Sequence, residues 1–400
     1  MEKEEEFKDL LEDILYKVSD RLPVEVEYWD GVIKSFSSNR PVARVIFKTP
    51  QALKEAIEFP SLGFGENYTN GNIEVEGNLQ EFLRLQEFDE VKNIKPPFKL
   101  MMKIFLERIK NNGSIEKTKE NIPRHYDLSN EFFSLFLDKS MTYSCAYFRK
   151  GDETLEEAQK NKYELICRKI GLKDGDSVVD VGCGWGGFLI YAAKKNKITG
   201  KGCTLSKNQF TYANEKIDKE GLGGQISVEY KDYRNMTGVY DKFVSIGAYE
   251  HVGKGYAGVF FKKVYSLLKE GGIGLLHTIG HNKPMPTDPW ITKYIFPGGY
   301  LPSLEELVRA LRRQNFYIID VENLRPHYAK TLDKWIENFE NNIDKIRKMY
   351  SESFIRMWRL YLNAASESFK YGESQVYQIL FSKGKPHIEL YRGRIYENWN

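Results

Sequence analysis

The run VVDVGCGWGG carries the densest chemical signal in this 400-residue chain. An apolar strand, Val178 to Val181, leads straight into Gly182, Gly184, Gly186 and Gly187, and a helix follows near Phe188. Glycines remove the side chains that would hold backbone away from a ligand, and a helix N-terminus favours a carboxylate or phosphate. A loop of this kind holds a nucleotide-like ligand closely. Taken alone it also suits a dinucleotide fingerprint or a plain structural turn.

Further polar residues stand where open α/β sheets place their sites, at the ends of apolar strands. Glu250 and His251 follow YDKFVSIGA, and His277 closes GGIGLLHTIG. His277, Cys145 and Tyr328, each taken singly, read as structural residues. A metal site built from His277, His281, Glu250 and Cys145 is the competing reading. His277 and His281 lie four apart in a strand running into a loop, so their rings need not share a face as on a helix, which argues against it.

The elements that must position these residues follow from hydrophobic period. From about Leu172, apolar β runs (DSVVDVG, KITGKGCTLS, ISVEYKD, YDKFVSIGA, GGIGLLHTIG) alternate with helical patterns, which implies parallel βαβ units in an open α/β sheet. SQVYQILFSK suits a last strand at or beside the sheet edge. The aromatic-rich stretch from about Trp335 to Tyr371 reads as helix covering this domain. Before it, Phe7, Leu10, Leu11, Ile14, Leu15 and Val18 recur at helical spacing, and their acidic surroundings favour burial against a neighbouring domain over an anionic membrane. Residues from about Val24 to Leu85 mix short strands with turns at Asp30-Gly31 and Asn70-Gly71, a small α+β domain. We set its boundaries at 1–95, followed by a linker helix at 96–120 that carries basic and apolar residues, and a third segment over 121–400.

Composition narrows the class. Fifty-nine Lys and Arg against 56 Asp and Glu leave a formal charge of +3, too balanced for wholesale nucleic-acid binding, and no base-flipping motif of the (N/D)PP(Y/F) type occurs. The acidic start MEKEEEFKDLLEDILYKV is unlike a secretory signal. Four cysteines without CxxC spacing suit free thiols in a reducing compartment. These features predict a cytoplasmic protein whose membrane contact is peripheral.

Asp180, two residues before the first loop glycine, makes the loop resemble the S-adenosylmethionine site of class I methyltransferases. Such enzymes often place an acid after the second strand for the ribose hydroxyls; here GKGCTLSKNQ offers Thr204, Leu205 and Gln209 instead. Asp232 and Tyr233 of KDY stand where an acid accepts from the adenine amino group and a ring stacks on the base. Eight stretches in order (HYDLSNEFFSLFLD, MTYSCAYF, DVGCGWGG, GCTLSKNQ, AYEHVG, LLHTIG, KYIFPGGYLPS and HYAKTLDKW) resemble the cyclopropane fatty acid synthase and mycolic acid cyclopropane synthase family from about Arg124 to the C-terminus. The resemblance implies a class I (Rossmann-like) sheet with helical cover plus the small α+β domain, S-adenosylmethionine as methyl donor, and bound bicarbonate. The extra N-terminal domain implies the branch acting on membrane phospholipids, with peripheral attachment to the inner leaflet and a tendency to dimerise.

By the same resemblance Tyr143 and Ser144 contact the cofactor, while Cys145, Glu250, His277, Ile279 and Tyr328 wall the bicarbonate site. Physically that set suits a small planar anion. His277 and the Ile279 amide donate, Tyr328 offers its hydroxyl, and Glu250 accepts the anion's own proton. The expected reaction adds a methylene to a cis double bond through a carbocation, bicarbonate being the general base. Rings of Tyr143, Tyr147, Phe148 and Tyr249 could stabilise the cation by roughly 0.5 to 2 kcal/mol each.

Overall fold

The computed structural model describes residues 2–92, 128–386 and 392–397. The proposed linker helix at 96–120 lies outside them. The described residues fall into two compact units, each discontinuous in sequence.

The first unit is built on a four-stranded sheet of β1 (Val24–Glu27), β2 (Ile33–Ser35), β3 (Ala43–Phe47) and β4 (Ile73–Gly77), in the order β2-β1-β3-β4. β1 and β3 run parallel, and the other neighbours antiparallel. Val24, Val26, Val45 and Phe47 alternate into a core shared with Leu15 and Val18 of the opening helix, Glu2–Val18. That helix therefore buries its apolar stripe on its own sheet. Thr49 caps the helix Pro50–Glu58, its hydroxyl accepting the Ala52 amide at 3.2 Å with Pro50 in the first turn, a favoured start because a proline has no amide proton to strand there.

Two later pieces, 288–295 and 335–372, belong to this same unit. Lys293 and Tyr294 both reach Glu66, at 2.5 and 2.9 Å. On the long helix Glu352–Lys370, Arg356 donates to the carbonyls of Tyr68 and Ile73 at 2.5 and 2.7 Å. The aromatic-rich helices thus group with the N-terminal sheet, where the sequence reading had them covering the α/β domain. Their apolar stripe, with Ile355, Trp358 and Leu362 buried, finds its partners there. Compactness follows these contacts and departs from boundaries drawn at 95 and 120.

The second unit holds a seven-stranded sheet: β5 (Ser177–Val181), β6 (Thr199–Thr204), β7 (Ile226–Tyr230), β8 (Tyr240–Ile246), β9 (Leu268–His281), β10 (Phe316–Asn323) and β11 (Ser374–Lys383). The order is β10-β11-β9-β8-β5-β6-β7. The neighbours from β7 through β9 pair in parallel, while β11 is antiparallel to both β9 and β10. This is a class I methyltransferase sheet. Val178 and Val179 are fully buried, as a strand covered on both faces demands. From β5 the chain runs outward through β6 and β7 and then returns to β8 on the other side of β5, and the crevice at such a switch point is where open α/β sheets bind ligands. β11 stands one place in from the edge and is buried along nearly its whole length.

Candidate active site

A cavity opens at the carboxyl ends of β5, β6 and β8. Its walls include Tyr143, Ser144, Asp180, Gly182, Gly184, Thr204, Leu205, Gln209 and Tyr233. Nine of the eleven residues expected at the cofactor therefore meet in one place. Gly184, at φ 55, has nothing within 4 Å of the point where a side chain would begin, so the loop backbone faces open space. Gly182, at φ 76, is pressed against Ala248, whose Cβ would lie 2.2 Å from an added one. One glycine makes room for a ligand and the other lets two loops touch.

The other two residues have different work. Gly186, at φ 78, is the residue before the helix Gly187–Lys195 and packs near Ala213. Asp232 is buried and gripped by Arg234, Oδ1 accepting from the main-chain amide and Nε at 2.9 and 2.8 Å, and Oδ2 from the guanidinium at 2.7 Å. Its carboxylate is spent on the turn, which the spacing of KDY could not reveal. Thr204 donates to Gln209 Oε1 at 2.6 Å, holding those two walls together.

The floor comes from the helix Leu155–Lys169, started by a reciprocal cap between Thr154 and Glu157. Its buried stripe carries polar heads. Gln159 Nε2 donates to the Ser144 carbonyl and Lys162 Nζ to the Ser144 hydroxyl, both at 2.9 Å. Met141 is held at φ 59, a costly conformation for a side-chain-bearing residue, by Asp138 accepting the amides of Ser140 and Thr142 at 2.8 and 2.9 Å. Sequence reasoning missed Lys162, Met141 and Trp185 in this wall, while His251, noted at the end of its strand, is part of it. A lysine on the apolar stripe of an amphipathic helix was the available signal.

Burial sets the charges. It pushes Asp180 from 3.8 up to about 7 against the pull of Lys162, and Lys162 from 10.5 down to about 7 against the carboxylate of Asp138. Burial likewise lowers His251 to about 4, so it lines the cavity as a neutral ring. Asp180 Oδ1 is buried and accepts no hydrogen bond among the described residues, an acceptor awaiting a donor.

Of the residues expected to hold an anion, Glu250 and Ile279 meet directly, and His277 joins the cavity wall through its carbonyl. The Gly247 amide, on the cavity wall, donates to the His277 carbonyl at 2.8 Å, joining the ends of β8 and β9. Glu250 Oε1 accepts the Ile279 amide at 2.6 Å. That amide was expected to face the anion; it orients the Glu250 carboxyl instead. Glu250 Oε2 is buried without a well-formed partner, since the adjacent Thr278 hydroxyl donates to the Ile279 carbonyl at 3.1 Å. Burial raises Glu250 from 4.5 to about 7, with the Ile279 amide opposing.

Cys145 and Tyr328 meet at Leu324, whose carbonyl accepts the Tyr328 amide at 3.1 Å and lies 3.8 Å from Cys145 Sγ. The Leu324 amide donates to Val376, the cross-strand partner of Ile279. Burial holds the Cys145 thiol far above its ordinary range, so it is a neutral wall. Among the aromatic rings, Tyr143 lines the cavity, packed against Phe133. Tyr249 sits in the core between Phe260 and Phe261, and Tyr147 packs at a tilt against His327. Among the described residues no group of three His, Cys, Asp or Glu converges as a metal would require.

The sheet order, the glycine loop after β5 and the cavity between β5 and β8 define an S-adenosylmethionine-dependent methyltransferase of class I. The chain belongs to the mycolic acid cyclopropane synthetase family, whose model matches residues 114–379. A domain of unknown function matches residues 10–89. The chain is 35% identical over 376 residues to a probable fatty acid methyltransferase of Pseudomonas putida, covering 90% of this chain and 92% of the relative. It is 37% identical over 343 residues to the cyclopropane-fatty-acyl-phospholipid synthase of Escherichia coli K12, covering 86% and 88%. Among solved structures, the mycolic acid cyclopropane synthase CmaA1 complexed with SAH and CTAB matches with a TM-score of 0.63 at 36% identity, covering 66% of this chain and 98% of that one.

Proposed function

We propose that this enzyme adds a methylene across the cis double bond of unsaturated acyl chains in membrane phospholipids, closing a cyclopropane ring, with bicarbonate as the base. The match to the Escherichia coli synthase carries this reading, because its 343 residues run through most of both chains and exceed the 114–379 stretch that the mycolic acid cyclopropane synthetase model matches. Mycolic acid enzymes account for a smaller share of this chain, 66%.

S-adenosylmethionine supplies an electrophilic methyl group, and bicarbonate a base for the proton lost on ring closure. The chain's own residues bind and orient. Tyr143, Ser144, Gly182, Gly184, Thr204, Leu205 and Gln209 hold the cofactor, Asp180 accepts from its amino group, and Tyr233 stacks on its base. Bicarbonate fits beside the cavity on the chemistry of its walls. His277 donates to it, as does the Tyr328 hydroxyl, and Glu250 Oε2 accepts its proton. The Ile279 amide acts through Glu250, and Cys145 closes the wall as a neutral thiol. Dry walls keep water from trapping the cation as an alcohol.

Membrane contact in this reading is peripheral, at the inner leaflet, by a homodimer. Among the described residues no helix is long and apolar enough to cross a membrane. The test is mass spectrometry of unsaturated phospholipid vesicles incubated with protein and S-adenosylmethionine. A gain of one CH2 with loss of the double bond and formation of a ring supports the synthase. The Pseudomonas putida relative is named as a probable fatty acid methyltransferase; the second reading is a methyl-branched product from a different proton loss, which gas chromatography of the modified chain separates.

A further inference from the structure

Gln378 does nothing in the chemistry proposed above, yet it is completely buried in contact with His277. Its Nε2 lies 3.1 Å from His277 Nδ1, and its Oε1 accepts from Lys169 Nζ at 2.8 Å. Gln378, Lys169 and His277 are each no more than 2% exposed. Gln378 and His277 belong to a row that crosses the sheet: Glu322 of β10 stands opposite Gln378 of β11, and Gln378 opposite His277 of β9. Residues directly opposite share a face, and the helix Leu155–Lys169 lays Lys169 over that face.

The amide and ring orientations follow from donor arithmetic. Lys169 Nζ contacts Glu322 Oε2 and lies 3.8 Å from Asp320 Oδ2. Burial lowers the Lys169 amine from its ordinary range, and Glu322 and Asp320 oppose that shift; held between these two carboxylates it serves as an ammonium, with three donors and no acceptor. The Gln378 atom facing it must be the carbonyl oxygen, so the NH2 group faces His277 and donates. His277 Nδ1 is therefore the acceptor, and the ring proton sits on Nε2. The outer end of the row is tied to the chain's last described residues, since Arg392 meets Asp320 at 2.9 Å and the Tyr396 hydroxyl meets Glu322 at 3.4 Å.

We propose that Gln378, oriented by buried Lys169, is a positioning residue that fixes His277 as the neutral Nε2–H tautomer, so that the ring serves the reaction as a hydrogen-bond donor. The use made of that donor rests on the anion-site reading; the tautomer does not. Burial, with Lys162 and Lys169 as the nearby cations, holds His277 well below its ordinary range, so the ring stays uncharged and donates through one nitrogen. A carboxylate at 378 would reverse the arrangement by accepting a proton from Nδ1.

The 15N spectrum of histidine-labelled full-length protein tests this directly, with His277 assigned among six histidines by difference against His277→Asn. The expected result is an unprotonated Nδ1 and a protonated Nε2 in the wild type. Gln378→Glu is expected to move the proton to Nδ1, lower kcat at least tenfold, raise the bicarbonate concentration needed for half-maximal rate, and leave cofactor affinity unchanged. A wild-type spectrum with the proton on Nδ1 overturns the proposal, and needs no variant to fold. So does a Gln378→Glu protein with wild-type kcat and bicarbonate dependence. If the Nε2–H tautomer is found but turnover ignores bicarbonate in carbon-dioxide-free buffer, the anion-site reading fails and the positioning role stands.

Discussion

The Glu250 carboxyl and the Ile279 amide, 29 residues apart in sequence, meet at 2.6 Å, and this bond ties the turn after β8 to the end of β9. Burial raises that carboxyl from 4.5 to about 7. A carboxyl whose folded pKa exceeds its unfolded one favours folding only while protonated. The contribution is whole below about pH 4.5 and falls away as pH rises to about 7. Glu250→Gln keeps an acceptor for the Ile279 amide and never ionises. Its stability advantage over the wild type should grow between pH 4.5 and 8, by roughly 2 to 4 kcal/mol at about 1.4 kcal/mol per unit. Thermal melts at the two pH values check this, and parallel behaviour of the two proteins would sink it.

His277→Ala and Glu250→Ala should each cut turnover by about 10² or more, the order seen when an oriented polar group is lost from a dry site. Calorimetric titration with S-adenosylmethionine should find the affinity little changed, because neither side chain is a wall of the cofactor cavity. Full activity with saturating lipid and added bicarbonate would remove both residues from the mechanism.

Two loop glycines should fail in different ways. Gly184→Ala puts a methyl where nothing stands within 4 Å, so it should weaken cofactor binding tenfold or more, while its positive φ costs about 1 to 2 kcal/mol. Gly182→Ala meets Ala248 at 2.2 Å and should lower the melting temperature further than Gly184→Ala does. Equal melting temperatures with equal affinities would contradict the separate roles.

Lys162→Met removes the cation that restrains Asp180. Asp180 should then ionise about a unit higher in pH. Cofactor affinity measured from pH 6 to 9 should rise with pH in both proteins, with the midpoint near 7 in the wild type and displaced upward in the variant. Coincident curves would mean that ionised Asp180 is not what the cofactor meets.

Periodicity exposed the parallel sheet well. DSVVDVG, YDKFVSIGA and GGIGLLHTIG became β5, β8 and β9, because a strand buried on both faces must be apolar throughout. The glycine loop was legible for the same reason, that few residues tolerate its backbone. Contacts that depend on register were not. Whether the Ile279 amide faces an anion or Glu250 turns on which way one N–H points in the ladder, and no side-chain type records that. Asp232 carried the right charge at the right spacing, but its neighbour Arg234 claimed it. Grouping 335–372 with the N-terminal sheet required knowing that Arg356 reaches the carbonyls of Tyr68 and Ile73, a pairing almost 290 positions apart. Lys162 and Lys169 were hidden because a helical lysine ordinarily points to water.

Those two lysines stand seven positions apart, about 10 Å along the helix Leu155–Lys169 at 1.5 Å per residue. One head meets the loop that walls the cofactor cavity, the other the amide that holds His277. The helix works as a gauge block whose length is set by its own pitch. Loss or gain of one residue between 162 and 169 would swing one lysine about 100° around the axis, burying the wrong side chain at one end whichever end stayed in place. This stretch should therefore tolerate exchange of its outward residues and reject every change in their number.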